Sequence, residues 1–162
     1  MRGLFIDTQA EGYVADLDDA FVVLGDLAHG YNWLLSNYEC SIQYHDKIPS
    51  DKDYVWLDGV ELACILKEHT MNFIWCVATA YSKEVTLDDV LQHPLPYAND
   101  NPSHLQTEIT MQNPLSIMEI VSFDSSFLFV IAKSEEIIET FARRYPDSID
   151  LAKHNRQLRL SW

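Results

Sequence analysis

The sequence predicts an α+β domain: a mostly antiparallel sheet of about five or six strands with two or three helices packed chiefly on one face. Three observations carry this expectation. Short apolar runs are separated by turn signals rather than by long crossovers, three segments carry capping residues ahead of apolar positions at helical spacing, and 162 residues suit a single domain, 1–162, with its own core.

Gly3 to Asp7 is a short β-prone run, and Thr8 with Glu11 reads as a capping box opening a helix. Tyr13, Leu17, Ala20, Phe21 and Leu24 follow at helical spacing, and Gly25 stands where such a helix stops. Tyr31 to Tyr44 is aromatic and β-branched around Ser36-Asn37, which predicts a hairpin or two short strands. His45 to Asp53, with Pro49, reads as an exposed loop. Asp58 with Glu61 opens a second helix whose apolar face is Leu62, Ile65 and Leu66, ending near His69.

Met71 to Tyr81 is apolar on both alternating faces, the pattern of a buried central strand. Thr86-Leu87-Asp88-Asp89 predicts a capped helical turn halted by Pro94 and Pro96. Residues 92–114, rich in Pro, Asn, Asp and His, form a loop excursion too short for a second domain. Leu115 to Phe123 and Phe127 to Lys133 flank Asp124-Ser125-Ser126 as an antiparallel hairpin. Ser134 caps a helix with Glu135 and Glu136 in its first turn and Arg143 and Arg144 in its last, charges that suit the helix dipole, and Pro146 ends it. Leu158, Leu160 and Trp162 alternate with Gln157, Arg159 and Ser161, which predicts a final strand.

These same segments are similar, in order and over most of the chain, to a family of small bacterial proteins of unknown function, domain-of-unknown-function family 2691. The marks are Arg2-Gly3-Leu4-Phe5, Tyr31-Asn32-Trp33, Leu57-Asp58-Gly59 with Leu62 and Ile65, Phe73 to Trp75, Asp124-Ser125-Ser126 and Leu158-Arg159-Leu160-Ser161-Trp162. The chain departs from the pattern in its Pro-rich 92–114 segment. The family has no assigned activity, so the resemblance implies an order of elements and no catalytic residue.

Chemistry-bearing motifs are sparse. The six histidines lack HxH or HExxH spacing, and Asp16-x-Asp18-Asp19 lacks the glycine and the distal glutamate of a calcium loop. The five glycines stand singly without the Lys-Ser or Lys-Thr of a phosphate loop. No cofactor and no metal is expected on these grounds. His93, His104 and Asp100 share the Pro-rich segment, which keeps open a metal site assembled by folding and, as a second alternative, a small enzyme with a carboxylate and histidine site there. The three cysteines form no CxxC pair, and the apolar surroundings of Cys64 and Cys76 predict buried thiols in a reducing, cytoplasmic setting.

Charge supplies the main functional indication. The chain holds 25 acidic against 11 basic residues, a formal net charge of −14, with eleven acids against three bases in residues 1–58. Such a field repels nucleic-acid phosphates and anionic membranes and accelerates encounter with cationic partners. The longest apolar stretch, Phe127 to Ala132, is far too short to span a bilayer. The expected function is therefore a non-catalytic, acidic intracellular binding protein, an immunity or antitoxin-type inhibitor of a basic toxin or nuclease domain. The alternative is a cytosolic regulatory or housekeeping domain whose acidity serves solubility alone. The candidate partner-binding residues are Asp16, Asp18, Asp19, Asp51 and Asp53, with Trp33 as an aromatic anchor if exposed.

Overall fold

The computed structural model describes residues 1–8, 16–41 and 43–160 and shows an α+β fold. Its seven strands are β1 (Arg2–Asp7), β2 (Asn32–Cys40), β3 (Tyr54–Asp58), β4 (Phe73–Tyr81), β5 (Met118–Phe123), β6 (Phe127–Ala132) and the two-residue β7 (Ile149–Asp150). They form one sheet in the order β3-β2-β4-β5-β6-β1-β7, every pair antiparallel. Among the described residues the helices are α1 (Leu17–Leu24), α2 (Asp26–His29), α3 (Gly59–Glu68), α4 (Leu87–Val90), α5 (Glu135–Arg144) and α6 (Leu151–Leu160), six in all. The sequence-based expectation of five or six strands and two or three helices falls slightly short.

The central strands are those with two apolar faces. Val77, Ala78, Ala80 and Tyr81 of β4 and Ile120 and Val121 of β5 are fully buried because helices or loop cover both sides of the sheet. Burying each of the Val and Ile side chains among them stabilises the fold by about 1.5–3 kcal/mol against leaving it exposed. On one face α1, α3 and α5 pack Leu17, Phe21, Leu62, Ile65, Ile138 and Phe141 against Trp33, Leu35, Ala78, Ile120 and Val130. The other face is covered as well, which the expectation of helices chiefly on one face did not include. There Leu151 of α6 and Ala98, Ile109 and Met111 of the 92–114 segment cover Phe5, Val77, Val121, Phe129 and Ile131, while Val90 of α4 packs on Leu34 and Tyr81. The Pro-rich segment is thus a strap across the sheet, with a 3-10 turn at Pro102–Leu105.

Several local predictions hold. Gly25 adopts φ +54, a left-handed conformation open to glycine without penalty, and its N–H closes α1 on the Phe21 carbonyl. Asp58 caps α3 by accepting the Val60 N–H at 2.8 Å. Thr86 and Asp89 form a full capping box on α4. Asp124 and Ser125 both have positive φ, and Ser126 N–H returns to the Phe123 carbonyl at 3.2 Å to close the β5–β6 hairpin.

Four readings are corrected. Among the described residues of Tyr31 to Tyr44 there is one long strand, β2, rather than a hairpin or two short strands: Asn37 is left-handed (φ 45), but it sits where β2 shifts register against β4, between Ser36 and Glu39. Tyr54–Asp58, where the sequence predicts only the Asp58 helix start, is the edge strand β3. The loop before it is not wholly exposed, since Ile48 is fully buried. The C-terminal segment is helical because Leu151, Asn155 and Leu158 recur at helical spacing and Asp150 accepts the Lys153 N–H at 2.9 Å as a cap. The alternation that suggested a strand belongs to a helix of good helix formers, and Trp162 lies outside the described residues. The Thr8–Glu11 box also falls partly outside them; Thr8 itself donates from its amide and hydroxyl to the Ser126 carbonyl at 3.1 and 2.9 Å.

Gly59 joins the helical layer to the sheet edge. A Cβ there would lie 2.1 Å from the Ala28 carbonyl oxygen and 2.8 Å from that of Tyr31, so only glycine lets α3 start directly against α2.

Candidate functional site

The six candidate partner-binding residues separate into three groups. Trp33 is fully buried: its ring centroid lies 4.7 Å from that of Phe21, and its indole N–H donates to the Ala28 carbonyl at 3.0 Å. It is a core residue and not a surface anchor, because β2 is flanked by β3 and β4 and the Trp33 side of it lies under α1 and α2. Asp16 is 6% exposed and spends both carboxylate oxygens inside the protein, accepting Leu17 N–H at 2.7 Å and Phe73 N–H at 2.8 Å. Burial pushes its carboxyl up to about 7 despite those donors. It is an internal cap, not a docking charge.

Asp18 and Asp19 remain half-buried on the first turn of α1, while Asp51 and Asp53 are exposed in the loop leading into β3. The fold places Asp53 in a different pocket from Asp18 and Asp19. Asp18 and Asp19 line a groove built by α1, α2 and α3, whereas Asp53 lines a pocket beneath the strap on the opposite face of the sheet.

The α1–α2–α3 groove has a cavity volume of about 430 Å³. Phe21, Val22, Ala63 and Leu66 supply apolar lining, and Asp18, Asp19 and Asp26 supply three carboxylates. Val22 is 79% exposed, on the solvent side of a helix whose other face is core. Burial raises the Asp18 carboxyl above its ordinary value, against the opposing effect of the Asp19 N–H it accepts at 2.9 Å. His29 and Lys67 also line the groove, with His29 Nδ1 3.6 Å from Asp26. Acid over an exposed apolar surface can attract a cationic segment and then bury its aliphatic part. Leu27 of α2 and Val60 of α3, 44% and 50% exposed, extend the apolar character of this helical layer.

The strap gathers a second set of polar groups, closed to solvent. Glu119 of β5 is fully buried and accepts the Gln112 N–H at 2.6 Å; burial pushes its carboxyl up to about 7. The Gln112 side chain reaches His104 Nε2 at 3.2 Å and accepts from Asn101 at 2.9 Å and from the Tyr97 amide at 2.9 Å. Asn155 of α6 donates to the carbonyls of His104 and Gln106 at 2.8 and 2.7 Å. His104 is 2% exposed, and burial holds its imidazole down to about 4. His104 and Glu119 are both buried beneath the Pro-rich segment and are linked through Gln112 rather than to each other. Their role in this geometry is to fasten the strap to the sheet and to α6.

The remaining reactive side chains are dispersed. Cys76 is buried as expected, whereas Cys64 is exposed on α3, because its position lies on the solvent side of the Leu62-Ile65-Leu66 face. His45 and His69 approach with ring centroids 4.6 Å apart, yet no group of three or more His, Cys, Asp or Glu side chains among the described residues could hold a metal ion. No described helix is long and apolar enough to cross a membrane.

Sequence reasoning missed the groove's apolar half. Val22 and Ala63 carry no motif, and only the three-dimensional meeting of α1 and α3 makes them neighbours of Asp18 and Asp19. Comparison with protein-family models, with curated proteins and with solved structures gives no match, and the functional reading therefore rests on the chain's own geometry.

Proposed function

We propose that this chain is a non-catalytic, acidic intracellular binding protein that captures a basic protein partner through the α1–α2–α3 groove. An immunity or antitoxin-type inhibitor that masks a basic toxin or nuclease domain is the form of this function that suits it best. The observation that carries the reading is the groove itself, where Asp18, Asp19 and Asp26 border the exposed Val22. A net charge of −14 would speed the approach of a cationic partner, by about 10- to 1,000-fold for a focused field at low ionic strength. The exposed aliphatic surface would then hold it, since rim charges govern encounter more than residence. The similarity to the bacterial family of unknown function belongs to the same proposal and adds a bacterial setting.

The test is affinity capture from the source cell's lysate with the natural chain and with the double variant Asp18→Lys, Asp19→Lys in parallel. The expected result is a basic protein retained by the natural chain at low salt, released as salt rises, and absent from the variant's eluate. An empty eluate, or the same proteins from both baits, overturns the proposal and leaves the acidity as a solubility device.

A further inference from the structure

On the sheet face opposite the groove, we propose that the pocket between β2, the start of β4 and the strap is a binding site for a guanidinium group. The cavity measures about 420 Å³, within the range of small-ligand sites. Trp75 and Tyr97 line it together with Glu39 and Asp53, and Tyr38 of β2 borders it while its ring packs on the helical-layer core. Neither carboxylate makes an ion pair among the described residues, and Lys52, which shares the lining, approaches neither within salt-bridge distance.

The walls are held in place before any ligand arrives. The Tyr38 hydroxyl donates to the Pro49 carbonyl at 2.6 Å, and Trp75 meets Phe123 edge to face at a centroid distance of 4.7 Å. The Tyr97 amide is fixed by the Gln112 side chain. Asn37 Oδ1 accepts the N–H groups of both Ala98 and Asn99, at 2.7 and 3.0 Å, and so docks the strap onto the bulged segment of β2. The bulge separates Ser36, whose hydroxyl reaches under the strap to the Pro96 carbonyl, from Glu39, which lines the pocket. Bulges re-aim side chains in this way next to binding sites.

Aromatic faces beside unpaired carboxylates are complementary to a planar cation. A guanidinium stacks on indole and phenol rings while its N–H fork donates to carboxylates, and it is less strongly hydrated than an ammonium. The ligand is therefore arginine-like, either a free arginine derivative or an arginine side chain presented by a peptide. This site lies on the other face from the proposed partner groove and does not depend on it.

The test is a titration of the ¹⁵N-labelled chain, followed by amide and indole chemical shifts, with N-acetyl-arginine amide. Free arginine and a glycine-flanked arginine peptide are titrated alongside to separate the two sources. N-acetyl-citrulline amide, the uncharged isostere, is the control. The expected result is a saturable shift at Tyr38, Trp75 and Tyr97 with the arginine compound and none with citrulline. Glu39→Gln should weaken binding by about tenfold, as loss of one charge-assisted hydrogen bond does, and Tyr97→Ala by about threefold. Tyr97 is 45% exposed, so its removal leaves the core intact, and the spectrum itself reports the fold. The Asp18→Lys, Asp19→Lys variant should bind as the natural chain does, which separates failure here from failure of the partner reading. Absence of saturable shifts at millimolar ligand, equal shifts with citrulline, or natural affinity in both pocket variants overturns the proposal.

Discussion

Asp16 ties the first turn of α1 to the first residue of β4: one carboxylate oxygen accepts Leu17 N–H at 2.7 Å and the other accepts Phe73 N–H at 2.8 Å. The bond to Phe73 spans 57 positions of sequence, so a helix cap doubles as a long-range clamp between the helical layer and the centre of the sheet. Asp16→Ala leaves two buried donors without an acceptor, a loss of about 2–4 kcal/mol. Asp16→Asn keeps one acceptor oxygen and should fall between the two. Urea unfolding of the three proteins at neutral pH gives the ranking, and equal midpoints for Asp16→Ala and the natural chain would contradict the clamp.

Glu119 gives the strap a pH dependence of definite sign. Its carboxyl sits near 7 in the folded chain against an ordinary 4.5, so the fold binds its proton more tightly than the unfolded chain does. The stability it contributes is complete below about pH 4.5 and is lost as pH rises through about 7, by up to about 3 kcal/mol. Asp16, also raised to about 7, acts in the same direction. His104 acts in the opposite one: held down to about 4 from 6.5, its contribution is present above about pH 6.5 and is lost as pH falls through about 4. Glu119→Gln removes only the first of these effects. Relative to the natural chain, the variant should gain stability steadily between about pH 5 and pH 8, read as urea midpoints across that window. A constant difference at every pH would mean that Glu119 does not titrate in this range.

The fold was legible where a local signal and its tertiary consequence coincide. Gly25, Asp58, the Thr86–Asp89 box and Asp124-Ser125 each act within a few residues, and each performs the role its chemistry suggests. The edge strand β3 was hidden because its Asp58 is also the cap of α3, and the capping signal dominated the five residues before it. The final helix was hidden because Leu158, Leu160 and Trp162 alternate as they would in a strand, and the helical spacing stands out only once Asn155 is seen to be buried against the strap. At the candidate site, Asp18 and Asp19 could be read as acidic surface of a helix. Nothing in their spacing distinguishes them from Asp16, whose burial depends on a strand 57 residues away. Trp33 shows the same limit, since an aromatic in a strand packs inward or outward according to which neighbours flank that strand.

The hairpin turn offers a change in the stabilising direction. Ser125 has φ 54 and is exposed, and a side chain in the left-handed region carries a steric cost that glycine lacks. Ser125→Gly should stabilise the chain by about 0.5–1 kcal/mol, raising the thermal midpoint by a few degrees. The same substitution at neighbouring Ser126 should not help, because Ser126 lies outside the positive-φ pair and supplies the carbonyl that receives both donors of Thr8. A lower midpoint for Ser125→Gly would show that the unfolded-state entropy of glycine outweighs the relief of strain.

Val22 separates stability from function in the groove. At 79% exposure on α1 its side chain contributes little burial, and lysine is a better helix former than valine, so Val22→Lys should leave the unfolding free energy within about 0.5 kcal/mol. The same change puts a cation among Asp18, Asp19 and Asp26, where it competes with the incoming partner for those carboxylates, and it removes an aliphatic surface that would hold the partner after encounter. Capture of a basic protein should therefore fall by at least about tenfold while the thermal midpoint stays where it was. Retained capture by a folded Val22→Lys chain would move the partner surface away from α1, whatever the acidity of the rest of the molecule.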